Sequence, residues 1–146
     1  MMISTRGRYT LRILLDIAEY QKEGYVPLKD SAERQEISKK YLEQIINLPD
    51  VSKMLDSSRG LHGGYRLSRP PEEYTVGDIL RAAEGSIRPV SCLEEDHIPC
   101  GRSADCPFLP IWKGLDDVIC NYLDSITLQD ILDRKSECPG GNDYVI

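Results

Sequence analysis

The chain has 146 residues, 40% of them hydrophobic, and a net charge of -6, enough to bury one good core but not two independent ones. No apolar run approaches the roughly 18 residues that span a membrane, and the N-terminus lacks the charged-then-apolar plan of a secretory leader, so a cytoplasmic protein without a membrane partner is expected. The acidic average conceals an asymmetry: residues 1–70 hold 12 Lys and Arg against 9 Asp and Glu, residues 71–146 only 6 against 15, so contacts with nucleic-acid phosphates would have to come from the first half.

Leu11, Leu14, Leu15 and Ala18 recur at helical spacing, which predicts an amphipathic helix over about 9–22, stopped near Gly24. Pro27 opens a second, shorter pattern with Leu28 and Ala32 inward and Ile37 filling the following turn. Ser38 then stands as N-cap of a third helix. Two short helices across a tight turn follow the helix-turn-helix plan. In the third, Leu42, Ile45 and Ile46 share one face and leave Lys39, Lys40, Glu43 and Gln44 pointing elsewhere. That set mixes the donors and acceptors a major groove demands: lysine for phosphate or guanine, glutamine for adenine, glutamate for the cytosine amino group. An ordinary solvated helix face has the same composition, so spacing alone leaves both readings open.

Between Asp56 and Leu67, short runs able to pair flank Gly60, Gly63 and Gly64, which predicts a hairpin with a flexible tip, a wing. Arg59 and His62 at such a tip suit a narrow minor groove; a plain surface turn is the alternative. Thr75 caps a helix with Val76, Ile79, Leu80 and Ala83 inward and Gly85 as its stop, closing a first domain over 1–85. Residues 86–109 form a loop bearing prolines and cysteines, long for a structureless connection and therefore a place to expect function. Pro110 starts another helix, in which Ile111, Leu115, Val118, Ile119 and Tyr122 make a wide apolar stripe that needs covering, by a second subunit or by its own domain. Ser125 to Arg134 reads as a last short helix, so residues 110–135 form a dimerisation unit and 136–146 a flexible tail. The fold class is mainly α with a small β-hairpin wing: a winged helix-turn-helix domain plus a long dimerisation helix.

Three of the five cysteines, Cys92, Cys100 and Cys106, follow the pattern C-x7-C-x5-C. Thiolates are soft ligands suited to iron-sulfur clusters, and Gly101 and Pro107 let the loop fold tightly around one. Zinc or a redox pair of thiols are the alternatives, whereas use as small buried hydrophobes fits poorly with so polar a loop. Cys120 reads as packing on the stripe-bearing helix, and Cys138 falls in the tail. No paired acid and base, nucleophile with base or phosphate-cradling loop is present, so the chain does not read as an enzyme.

The stretches STRGRYTLRILLDIA (4–18), KKYLEQII (39–46), SRGLHGGY (58–65), YTVGDILRAAEG (74–85) and LDSITLQDIL (123–132) resemble the IscR/CymR/NsrR family of bacterial winged-helix transcription regulators, over nearly the whole chain. The resemblance implies a homodimer on double-stranded operator DNA. Ser38, Lys39, Lys40, Tyr41, Glu43 and Gln44 would read or clamp the major groove, and the wing with Arg59, Gly60, His62 and Gly63 would enter the adjacent minor groove. It further implies an iron-sulfur cluster on Cys92, Cys100 and Cys106, 2Fe-2S with 4Fe-4S as the alternative, that modulates promoter binding, with iron-sulfur biogenesis genes as the expected targets. Family members similar to CymR lack these cysteines, so a cluster-free or a zinc or thiol-redox regulator of cysteine or stress metabolism is the other reading.

The family's ways of completing the ligand set do not carry over. The histidine found three residues after the last loop cysteine is replaced by Leu109, and the acidic residue near the N-terminus by Arg8. His97 is then the nearest nitrogen donor, with Glu94, Glu95, Asp96 and Asp105 as oxygen alternatives. Two other departures carry expectations. Glu36 stands where the family has a turn glycine, which predicts a non-standard turn, and Asn47 to Lys53 is short of the basic residues expected there, which predicts weaker DNA contact from that segment.

Overall fold

The computed structural model describes residues 3–94 and 100–137. Its first helix begins earlier than periodicity alone predicts. The Ser4 hydroxyl accepts the Gly7 amide N–H and opens α1 (Thr5–Tyr20). The inward face is also rotated from the one expected: Thr10, Ile13, Leu14, Ile17 and Ala18 are buried, while Leu11 and Leu15 are only half-buried. A single turn of tighter helix, Gln21–Glu23, then ends at Gly24.

Helix α2 (Leu28–Gln35) and α3 (Lys39–Ile46) form the helix-turn-helix, with Leu28 and Ala32 of the first and Leu42, Ile45 and Ile46 of the second in one core. The expected non-standard turn between them is corrected by the backbone. Glu36 itself adopts the left-handed conformation, at φ 54°, and the Ile37 amide donates to the Ala32 carbonyl at 3.1 Å. Glutamate thus performs the helix-ending turn that glycine makes without strain. A buried carboxylate braces the pair. Asp16 accepts from the Ser31 hydroxyl at 2.6 Å, from the Arg34 guanidinium at 3.0 and 2.8 Å, and from the Gln35 amide at 3.0 Å. Burial alone would raise the Asp16 carboxyl, but these bonds outweigh it and hold it below the usual carboxylate range.

A one-turn helix, α4 (Pro49–Ser52), leads into the antiparallel strands β1 (Leu55–Ser58) and β2 (Gly64–Leu67), paired Leu55 to Leu67 through Ser58 to Gly64. Val26 pairs with Tyr65 in both directions, at 2.7 and 2.9 Å, so the wing's base is tied to the segment before α2. The fully buried Tyr74 closes this layer: its hydroxyl donates to the Met54 carbonyl at 3.0 Å and receives the Arg69 amide. Thr75 and Asp78 then form a reciprocal cap on α5 (Val76–Glu84), which lies against α1.

Beyond the loop, α6 (Leu109–Asp124) is held by two ion pairs: Arg81 of α5 grips Asp124 at 2.9 and 2.8 Å, and Arg88, just after α5, meets the buried Asp116 at 2.8 Å. The last helix, α7 (Leu128–Glu137), starts later than Ser125 and returns to the first domain. Thr127 bridges to Thr75, and Leu128 is completely buried in the same core as Ile13 and Ile79. Among the described residues no helix is long and apolar enough to cross a membrane.

Candidate nucleic-acid interface and cysteine cavity

Helix α3 owes its outward face to the depth of its inward one. With Leu42 and Ile45 fully buried, Lys39, Lys40, Glu43 and Gln44 are left exposed. Ser38 fixes the start of the helix, its hydroxyl accepting the Tyr41 amide N–H at 3.2 Å. Lys39 and Glu43 approach each other at 3.9 Å with both side chains half exposed, too loose a pair to hold either back from a base or a phosphate. Tyr41 is half-buried, its ring edge-on to Tyr9 at 5.8 Å, and Arg12 lies over Tyr9.

Residues not singled out from the sequence join this face. Ser4, Thr5 and Arg6, at the start of α1, share a cleft of about 530 Å³ with Tyr41 and Gln44. The signal for them was Ser4 followed by Arg6 and Arg8, a capped helix start with exposed cations; the Ser4 amide and hydroxyl themselves donate to Glu84, so the two arginines are the groups left to meet a phosphate. In the Asn47 to Lys53 segment the lone basic residue, Lys53, pairs with Asp50 at 3.0 Å.

The wing is a hairpin whose tip is closed by a tight turn. The Gly63 amide donates to the Gly60 carbonyl at 3.1 Å, which sets Leu61 and His62 at the corners of the turn. Gly60 has φ 102°, and any side chain at Gly63 would strike the Ser58 carbonyl oxygen. These glycines are therefore demanded by geometry, which is more than the flexible tip expected from composition. Arg59 and His62 are exposed with no described partner for either side chain.

Across the molecule, Cys92, Cys100 and Cys106 line one cavity of about 230 Å³ together with Glu94, Ser103, Leu109 and Trp112. Cys92 and Cys100 are exposed and Cys106 is half-buried, all with free thiols. The short helical turn Ser91–Leu93 carries the first, and Cys106 lies just before α6, whose Trp112 stacks on Phe108. Among the described residues no three His, Cys, Asp or Glu side chains converge closely enough to hold a single metal ion. The donor types suit an iron-sulfur cluster, and the thiols share a pocket, but they are not drawn together around one centre. Leu109 occupies the wall where the resemblance called for histidine. Asp105 is exposed, and His97, Glu95, Asp96 and Cys138 lie outside the described residues.

On α6, Ile111, Leu115, Val118 and Tyr122 are 56, 41, 65 and 64% exposed, a continuous apolar stripe that the chain's own domain leaves uncovered. Ile119 turns from it and is half-buried, as is Cys120, which shares a second cavity with Arg81, Ser86, Arg88 and Glu94.

A family model described as Rrf2, iron-dependent transcriptional regulator, matches residues 3–134. The chain is 40% identical to the protein rrf2 of Nitratidesulfovibrio vulgaris, over 95% of this chain and 92% of that one. Among solved structures it is similar to CymR, the global cysteine regulator of B. subtilis, with a TM-score of 0.73 at 36% identity over 92% of this chain and 98% of that one. It is equally similar to IscR of T. potens, with a TM-score of 0.73 at 35% identity over 99% and 95%. Both are winged-helix regulators by the resemblance already drawn.

Proposed function

The chain belongs to the Rrf2 family of transcriptional regulators, and from that premise we propose that it is a cytoplasmic homodimer whose promoter binding is modulated by an iron-sulfur cluster on Cys92, Cys100 and Cys106. That it is a DNA-binding transcription regulator and not an enzyme follows from the family. Lys39, Lys40, Glu43 and Gln44 on one exposed helix face, and exposed Arg59 at the wing tip, support major-groove reading beside minor-groove insertion. The thiol cavity carries the cluster reading: three cysteines of one loop line a single pocket at the root of α6. When bound there, a cluster supplies a thiolate-ligated centre whose presence and oxidation state vary with redox conditions and iron supply.

The chain's own part in the switch is mechanical. The three thiols line one cavity where the loop meets α6, so ligation there would fix the loop against that helix, and a ligand shifts an equilibrium only through such a difference between states. The loop runs directly into α6, and α6 is tied to α5 by Arg81 to Asp124 and to the segment after α5 by Arg88 to Asp116. Asp124 holds the Arg81 guanidinium even more firmly protonated than usual, against the smaller effect of burial. α5 in turn lies on α1, and α1 on α3. With the stripe of α6 buried on its twin in the dimer, a change at the loop alters the spacing or mobility of the two recognition helices. Iron-sulfur biogenesis genes are the targets this reading favours.

The likeness to CymR favours one alternative: a cluster-free regulator acting through zinc or thiol redox chemistry. Anaerobic purification with iron and sulfide counts separates the two. The cluster reading expects visible absorption between about 320 and 450 nm with stoichiometric iron and sulfide; iron-free protein after reconstitution contradicts it.

A further inference from the structure

Resting on the cluster reading above, the walls of the thiol cavity name a further donor. Three cysteines leave a ligand set short of the four that iron-sulfur clusters draw on. Among the described residues lining the cavity, Ser103, Leu109 and Trp112 are poor candidates, and the remaining one is Glu94. Its carboxylate is half-buried and lies on the wall shared with the second cavity, beside Arg81, Arg88 and Cys120.

The local chemistry suits a ligand. Ser86 donates its hydroxyl to Glu94 Oε1 at 2.6 Å, and the Arg88 amide donates to Ser86 at 3.3 Å. No described hydrogen bond claims Oε2. Metal-bound carboxylates are commonly oriented by such an outer hydrogen bond on the other oxygen. The neighbouring Arg88 side chain is engaged by Asp116 and does not pair with Glu94.

We propose that Glu94 supplies the fourth, oxygen ligand, oriented by Ser86 at the end of α5. Binding at this residue ties the loop, through Ser86, to the segment that follows α5.

The test is anaerobic reconstitution of the full chain with iron and sulfide, comparing wild type, Glu94→Ala, Glu94→Cys, Ser86→Ala and His97→Ala. The readouts are visible absorption, electron paramagnetic resonance after reduction, and the rate of iron loss to a chelator; far-ultraviolet circular dichroism checks folding. Glu94→Ala should shift both spectra and lose iron at least roughly tenfold faster. Glu94→Cys should restore retention with an all-thiolate spectrum and a lower reduction potential, Ser86→Ala should lose iron at an intermediate rate, and His97→Ala should match the wild type. A Glu94→Ala protein with wild-type spectra and iron retention overturns the proposal, as does a shift confined to His97→Ala. Failure of the wild type itself to take up iron and sulfide overturns the cluster reading beneath it, a result distinct from a loaded protein indifferent to Glu94.

Discussion

The winged domain and the loop with α6 are built on opposite terms. In the first, every demanding group is met internally: Asp16 has four hydrogen bonds, Tyr74 is fully buried with its hydroxyl bonded, and the helix starts at Ser4, Ser38 and Thr75 are capped. In the second, apolar side chains stand in solvent and three free thiols line a shared cavity. A region that satisfies itself presents a fixed surface. One that does not is completed by something else, which is what a reading head and its control arm require.

Removing the buried charge should strain the self-sufficient half most. Asp16→Asn leaves Arg34 without its carboxylate and should cost about 3 kcal/mol in urea unfolding, the low end for a broken buried pair because Arg34 reaches solvent. The pH dependence follows from the lowered carboxyl of Asp16. Its contribution is complete above the unfolded value of about 3.9 and is lost as pH falls through the still lower folded value, so the acid limb of stability should flatten in Asp16→Asn. An unchanged acid limb would show that the network does not govern it.

The incomplete half should respond in assembly instead. Val118→Asp puts a charge in the exposed stripe of α6 and should weaken the dimer at least roughly 30-fold, about 2 kcal/mol, with the thermal transition of the winged domain retained. Sedimentation equilibrium reads this, and a dimer of wild-type strength would move the interface elsewhere. Arg59→Ala should then cost about 1–3 kcal/mol in operator affinity and lower the salt dependence by about one phosphate, without changing stability. Gel shifts over a salt series measure both. The smallest effect lies in the turn: Glu36→Gly relieves a left-handed glutamate and should stabilise the domain by about 1 kcal/mol in thermal unfolding.

A different division, between local and tertiary determinants, governs what the sequence revealed. Helix 39–46, the hairpin, and the helix from Thr75 were legible because caps and apolar spacing act locally: Ser38, Gly63 and Thr75 each report their own geometry. The start of α1 was not, because Thr5-Arg6-Gly7-Arg8 carries no apolar period, and Gly7 answers to a distant residue, Glu84. Leu128 reaching the core beside Ile13, and Glu36 holding a turn suited to glycine, are likewise fixed by tertiary packing overriding local preference. The three cysteines announced themselves by spacing; their cavity, and Glu94 on its wall, depend on how the loop returns to α6.

The central claim is that the control arm alters the reading head, and the most direct measurement is the operator affinity of one preparation, anaerobic, with its cluster and after the cluster is stripped. The loaded and stripped dimers should differ by roughly 5- to 150-fold on at least one promoter site, corresponding to a coupling of about 1–3 kcal/mol. Equal affinities for the loaded and stripped dimer, at every site bound, would contradict it.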